Sequence, residues 1–431
     1  MQEKIKGYTL IWFRNDLRLH DNKVLEQAIN EKLPIIAIFL FNDKRFSKST
    51  FGFKKIGKFR MKFLTETVLC LQNKMKKYNI PLFIYNKYDK EVFLELNTHF
   101  KIINFFYQKS WTYEELQEEK RIIRYLSKRI VVKSVFNQLL FNVDDVMKLF
   151  SEIPRSFSGF RKKIEKHCHI PNLLDYEIPI QDKIEVKLGD EINLDQLAYF
   201  DSNYKKYTVF PFLGGENEGV KRLDEYFFKT KNIAVYKKTR NQLLGINYSS
   251  KFSPWLANGA LSSRLVYWKI KEFEKKIIAN ESTYWLFFEL LWREFFKYVS
   301  MKHGDSIFKK EGIQNKKVYN IIDNDIIKSW VEGKTTNDFV NANMIELKLT
   351  GWMSNRGRQN TASFLVHNLN QDWRVGAAYF ESLLLDYDVH SNYGNWMYIA
   401  GVGNDLRNKP FDVKKQAMIY DAKGEFINKW L

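Results

Sequence analysis

The chain has 431 residues, 45% hydrophobic and 28% charged, which is the balance of a globular protein of two or three domains and excludes a disordered chain. Its 69 Lys and Arg against 50 Asp and Glu give a net charge of +19, a field that favours polyanions, and 16% aromatic content adds rings on which bases can stack. No apolar run reaches the roughly 18 residues of a membrane helix, and Cys70 and Cys168 are too few for a disulfide framework or a four-thiolate metal site.

The start, Met1-Gln-Glu-Lys-Ile-Lys, lacks a signal-peptide core, so a cytoplasmic protein is expected. Short apolar runs follow at Thr9–Phe13, Pro34–Phe41, Pro81–Tyr85, Ile102–Tyr107 and Val131–Phe136, rich in Ile, Val and Phe like strands buried on both faces. Helix-like stretches such as Lys58–Tyr78 and Thr112–Lys128 separate them. The alternation predicts an α/β domain over 1–136 with a doubly wound parallel sheet. Residues 137–200 show neither period and contain Pro154, Pro171 and Pro179, so they read as an interdomain linker draped over the surface. Residues 201–431 read as an all-α domain, with helices expected at Leu261–Lys276, Ser282–Lys302, Thr335–Thr350 and Ser354–Leu369.

Four stretches of the helical part carry polar groups where a core would not place them. On a helix, Glu289, Trp292, Arg293 and Phe296 share one face. That face is either a buried Glu–Arg pair among aromatics or a cavity wall offering a ring, a carboxyl group and a cation. Asn355-Arg356-Gly-Arg358-Gln359 is either a solvated face or a contact for a planar polar ligand or phosphates. Asp386-Tyr-Asp388-Val-His390 has too few hard ligands for a metal, so partners for a ribose, an adenine or an Arg fit better. Tyr248-Ser249-Ser250-Lys251-Phe252-Ser253-Pro254 opens a helix, as a phosphate cradle or as ordinary capping by Ser253. Gly401-Val-Gly403 lacks the third glycine of a dinucleotide fingerprint, and His167-Cys168-His169 has no partner cluster, so no metal is expected.

Taken together these stretches resemble the photolyase/cryptochrome family, closest to its cryptochrome-DASH branch. The motifs are Trp12-Phe-Arg14-Asn-Asp-Leu-Arg-Leu-His-Asp21-Asn22, Gly214-Gly215-Glu216, Thr239-Arg-Asn241, Tyr248 to Trp255, Ser282 to Glu294, Asn341-Ala-Asn-Met344, Trp352 to Gln359, Asp372-Trp-Arg374 and Asp386 to Trp396. They run in family order over nearly the whole chain. The resemblance implies a C-terminal helical domain that binds FAD and DNA, held by Tyr236, Ser249, Ser250, Lys251, Phe252 and Ser253 on the phosphate side and by Asn355, Arg358, Asp386, Asp388 and Asn392 along the flavin and ribose. It implies light-driven repair of cyclobutane pyrimidine dimers, with Glu289 and Trp292 against the dimer and Arg293, Asn355, Arg356, Gln359 and Tyr398 at the DNA. Single-stranded DNA is the expected partner, RNA is a further polyanion the charge admits, and a monomer is expected.

Departures from the family pattern sharpen these expectations. Tyr398 and Gln359 stand where double-strand photolyases place tryptophan and methionine, which predicts a preference for single-stranded or looped DNA. In the electron-transfer chain, Trp396 and Trp373 hold the proximal and middle positions, while the distal one falls on Asn320 beside Tyr319, which predicts slower or redirected photoreduction ending at Tyr319 or another surface aromatic. Ser110 replaces the carboxylate that holds a methenyltetrahydrofolate antenna, with Glu114 and Glu115 as substitutes nearby, so a weak or vacant antenna site is expected. Thr336-Asn337-Asp338 replaces a family turn and offers a helix cap. Two other functions compete. One is a flavin photosensor that binds nucleic acid without efficient repair, against which the end at Leu431 without an extension is expected to argue; the other is a basic nucleic-acid-binding protein whose aromatics are core.

Overall fold

A computed structural model describes residues 7–41, 47–150, 152–191, 208–404 and 410–431. The expected passage from linker to helical domain, at 200 and 201, lies outside these residues.

The N-terminal part is a five-stranded parallel sheet in the order β3-β2-β1-β4-β5. Its strands are β1 (Tyr8–Phe13), β2 (Ile35–Leu40), β3 (Leu82–Tyr85), β4 (Ile102–Gln108) and β5 (Val131–Val135). The crossovers are helical: α1 (Lys23–Asn30), α2 (Lys58–Lys76), α3 (Asp89–His99) and α4 (Tyr113–Ile123). β1 is central, and its Trp12 pairs in register with Ile38 of β2 and Tyr107 of β4. Residues of β2 are all buried, as strands covered by helices on both faces must be. β5 departs from that expectation, with Val131 47% and Val132 37% exposed. It is the sheet edge, and Lys133 pairs there with Glu31 at 3.0 Å instead of facing a second layer.

Residues 137–191 correct the reading of a surface-draped linker. They contain α5 (Val143–Leu149) and α6 (Phe157–His167), and Leu140, Val146, Phe160 and Ile164 are fully buried in the main core of the helical part. The spacing of Phe157, Phe160 and Ile164 (i, i+3, i+7) is that of one helical face, which the prolines on either side obscure in the sequence. Beyond α6 the chain is extended, and Gln181 holds it to the sheet by bonds to the amide and carbonyl of Ile35 at 2.8 and 2.9 Å.

The rest is helical: α7 (Glu216–Asp224), α8 (Tyr236–Thr239), α9 (Ser253–Ala257), α10 (Ser263–Lys276), α11 (Glu281–His303), α12 (Asn324–Glu332), α13 (Asp338–Thr350), α14 (Asn355–Ser363), α15 (Trp373–Leu383), α16 (Val389–Ile399), α17 (Val413–Tyr420) and α18 (Glu425–Trp430). Asn337 caps α13 by accepting from the amide of Val340 at 3.0 Å, so the replaced turn does start a helix there. The helix expected over Ser354–Leu369 widens into a π turn at Phe364–Asn368, from which His367 donates to the carbonyl of Ile399 at 2.9 Å.

Candidate functional site

Three helices wall one cavity. α11 starts at Asn280, whose side chain accepts from the amides of Ser282 and Thr283 while its own amide donates to the Thr283 hydroxyl at 3.1 Å. The fixed start sends Trp285, Glu289, Trp292 and Phe296 down a single face into a cavity of about 510 Å³. α14, capped by Ser354, brings Asn355, Arg358 and Gln359. α16, capped by Asp388, brings Asn392, Trp396 and Tyr398. Close packing sets the width: a Cβ on Gly394 would lie 2.2 Å from the Phe296 ring, and one on Gly376 2.1 Å from Trp396.

A second cavity of about 280 Å³ adjoins it, and Arg240, Glu289, Asn355, Arg358, Asp386 and Asp388 line both. Its outer wall is the loop Tyr248–Ser253 with Tyr236. Lys251 is 2% exposed, lies over the rings of Tyr248 and Trp352 at 3.4 and 4.4 Å, and its ammonium has no hydrogen-bond partner among the described residues. Burial holds its pKa well below the ordinary lysine value, opposed chiefly by the carboxyl of Glu346. An orphaned ammonium on a cavity that Ser249, Ser250 and Ser253 also line is what an anionic diphosphate satisfies. The buried Oδ1 of Asp386 also lacks a partner on the shared wall. These groups fit a dinucleotide lying across both cavities.

The carboxylates are already committed. Asp386 pairs with Arg358 at 2.9 Å and Asp388 with Lys297 at 3.2 Å, so neither is a free metal ligand. Burial opposes the charge on Asp388, but Lys297, then His390 and Arg293, outweigh it and hold the carboxyl far below the ordinary range. Burial lowers Lys297 to about 8. Glu289 pairs with Arg240 at 2.7 Å, and its carboxyl is pushed up by burial and pulled back by that arginine.

The expected residues separate into groups. Glu289, Trp292, Asn392, Trp396, Gln359 and Tyr398 share the larger cavity, and Tyr236, Ser249, Ser250, Lys251, Phe252 and Ser253 the smaller. Ser253 is the first residue of α9, not its cap; Phe252 occupies the cap position and no side chain bonds there. The Phe252 ring packs on Phe227 in the core, so it brings no polar group. Trp292 has one face covered by Phe157, whose ring is 3.7 Å away and nearly parallel, and meets Tyr398 edge-on at 6.3 Å. Arg293 corrects its expected place at the DNA: it turns inward into the smaller cavity and donates to the carbonyl of Gln138 at 2.9 Å and to Glu294 at 3.2 Å. Arg356 lines neither cavity; it bonds Gln359 and Asn241 and lies over the Tyr420 ring at 4.7 Å. Trp373 is buried beside α16, one turn from Gly376, with its indole N–H on the carbonyl of Lys310 at 3.0 Å. Lys310 in turn holds the carbonyl of Asn320, and the neighbouring Tyr319 is 81% exposed.

Sequence reasoning assigned no role to Arg240 or Lys297. Arg240 stands inside the quoted Thr239-Arg-Asn241 motif. Lys297 lies two helical turns beyond Glu289 on the same face of α11, a spacing that would have found it.

A third cavity, of about 190 Å³, lies between the sheet and the helices and includes Ser110, Glu114, Glu115, Arg14, Arg60 and Glu381. Glu114 is engaged by Lys55 and Glu115 by Thr112, so both substitutes for the missing carboxylate are occupied. Glu381 is pushed up to about 7 by burial.

Comparison with known proteins matches the chain to one family and fold. Residues 9–179 match the family model for DNA photolyase and residues 285–431 that for the FAD binding domain of DNA photolyase. The chain is 40% identical to a cryptochrome DASH of Gloeobacter violaceus over 98% of its own length and 85% of that protein. It is 39% identical to a cryptochrome DASH of Synechocystis over 98% of its length and 87% of that protein. The crystal structure of a Synechocystis cryptochrome superposes with a TM-score of 0.93 at 38% identity, covering 100% of this chain and 89% of that one.

Proposed function

The chain belongs to the DNA photolyase/cryptochrome family, in its cryptochrome DASH branch, and carries that family's FAD-binding domain; from this we propose that it repairs cyclobutane pyrimidine dimers in single-stranded or looped DNA under blue light. The observation that supports this reading best is the larger cavity itself, where Glu289, Trp292, Gln359 and Tyr398 stand together on walls shared with the FAD-side residues. FAD held by these residues would, when reduced and excited by light, supply the electron for opening the dimer.

The chain's own side chains do the rest. Trp292, backed by Phe157, is a rigid wall for an extruded base, and Glu289 is a hydrogen-bonding group for the dimer's carbonyl edge. Asn392 donates to the carbonyl of Ala377 at 3.1 Å, which fixes the amide and leaves its oxygen and second N–H for the flavin edge. Lys251 and the serines of 249, 250 and 253 would hold the diphosphate. The basic surface retains the strand through its phosphates. Tyr398 and Gln359 offer little apolar wedge, so extrusion from a duplex is poorly assisted.

The test is repair of one thymine dimer in oligo(dT), on the chemically reduced protein, against the same dimer in a matched duplex and a dark control. Faster light-dependent recovery of thymine absorbance in the single strand is expected. Equal rates would reject the strand preference, and no recovery with DNA bound would transfer the protein to the photosensor reading.

Trp396, Trp373 and then Tyr319 or another surface aromatic would carry the hole when oxidised flavin is photoreduced. Asn320 cannot be oxidised, so photoreduction is slow and ends at a tyrosine; Tyr319→Phe and Trp373→Phe each slow it severalfold, and unchanged rates in both would refute the route. The occupied Glu114 and Glu115 and the hydroxyl of Ser110 leave methenyltetrahydrofolate without its carboxylate anchor, so the protein is expected to purify with flavin absorbance and little pterin.

A further inference from the structure

Lys251 lines the smaller cavity, is buried, and its ammonium has no hydrogen-bond partner among the described residues. Water ordinarily stabilises such a charge, and burial removes the water. What the ammonium meets instead is aromatic: the ring of Tyr248 at 3.4 Å and that of Trp352 at 4.4 Å. These two rings are fixed. The indole N–H of Trp352 donates to the Tyr248 hydroxyl at 3.1 Å, and its backbone amide donates to the Thr350 hydroxyl at 3.1 Å. Phe210 stacks on Trp352 with ring centres 5.2 Å apart. Both rings are buried and line the same cavity as the lysine. The face of an aromatic ring attracts a cation, most strongly where water is absent.

The charged groups around Lys251 leave the rings this task. Glu346 of α13 and Asp386 favour the ammonium, while Arg222 of α7 and Arg358 of α14 oppose it. Asp386 is paired with Arg358, and neither oxygen of Glu346 has a hydrogen-bond partner, Lys251 included. Burial pushes the Glu346 carboxyl up to about 8, so at neutral pH it is a weak counter-charge. Tyr248 stays a neutral phenol, its pKa raised by burial. We propose that Tyr248 and Trp352 are positioning residues that hold the Lys251 ammonium charged and facing the smaller cavity until the FAD diphosphate takes it. The rings supply an attraction that solvent cannot, and they bring no anion to repel the phosphates. A carboxylate in their place would pair with the lysine and have to be displaced. This inference rests on the assignment of the smaller cavity to the diphosphate.

The experiment is equilibrium loss of FAD from the holoprotein on dilution, read by the fluorescence of released flavin, between pH 6 and 9. A site that must hold a charged lysine binds less tightly once its flavin-free form has lost that proton. Affinity is therefore expected to be level on the acid side and then to fall as pH rises, by up to tenfold per unit. Trp352→Leu is expected to bring the onset of the fall down by about one pH unit, the worth of a desolvated ring face. Tyr248→Leu shifts it the same way and is the second variant should the first fail to fold. Lys251→Arg keeps its charge throughout, so its affinity is level to pH 9, alone and combined with Trp352→Leu. A ring that only shapes the cavity would lower affinity by one factor at every pH. Ring variants whose profiles run parallel to wild type, level or falling, therefore overturn the proposal, as does an onset that persists in Lys251→Arg. Lys251→Met in the same series separates the two readings. If it holds FAD as tightly as wild type at pH 6, the diphosphate assignment fails; if it is weakened while the ring variants leave the onset unmoved, only the role of the rings fails.

Discussion

Lys251 shows how one residue can be set against its own fold. Its backbone is left-handed, φ 65°, a region that side-chain-bearing residues enter at some expense, and its ammonium is buried without a partner. Neither feature helps the protein fold, and on the proposed reading the ammonium is there for the FAD diphosphate. Lys251→Met keeps the stem and removes the charge. It is expected to weaken FAD retention about tenfold to hundredfold, as loss of a charge-assisted contact does, while the flavin-free protein melts no lower than wild type. Dilution-driven loss of flavin and thermal unfolding of the two proteins check this. Lower stability of the flavin-free variant would assign the lysine to the core.

At the scale of an element, α6 is the part that sequence reading placed wrongly and the site depends on. Its Phe157 backs the ring of Trp292, and Phe160 and Ile164 anchor it in the core of the helical part. Phe157→Ala removes a 7%-exposed ring from a packed cluster, so it is expected to destabilise the protein by about 3 kcal/mol. It also frees Trp292 to change rotamer, so dimer affinity falls beyond what the stability loss explains. Denaturant unfolding and dark binding, measured on the same variant, separate the two effects; unchanged affinity in the folded variant would show that Trp292 does not need its backing.

Across the whole molecule, buried polar contacts join sheet and helices alongside the shared apolar core. Arg18 of the loop after β1 donates to the carbonyls of Gly259 and Asn137, and Arg264 pairs with Asp21 at 2.8 Å. Glu216, at the start of α7, takes amide bonds from Leu19 and His20 and pairs with His20 and Lys74 at 2.5 Å. Burial alone would raise its pKa, but His20 and Lys74 outweigh burial and bring it down to about 2. A carboxyl lower in the folded state contributes stability above its ordinary 4.5, and that contribution is lost as pH falls from there towards 2. Glu216→Gln is therefore expected to cost about 3 kcal/mol at neutral pH, with the gap from wild type closing between pH 4.5 and 2. A gap that persists at pH 2 would mean that shape and not charge makes this latch.

Local rules were enough for much of this protein. The period-two and period-3.6 patterns of apolar residues determined the five strands and the long helices within a few residues, because each element buries one continuous stripe or face. The run from Glu289 to Phe296 determined that a ring and a carboxyl group share a wall, since helical spacing is a local property. Partners are not local. That Glu289 meets Arg240 and not Arg293, that Arg293 turns inward, that Lys297 neutralises Asp388 and that Phe157 covers Trp292 were decided only by the packing of segments 49 to 155 residues apart. The hydrophobic pattern specifies which face of a helix is buried, and only the assembled core specifies which neighbour is waiting there.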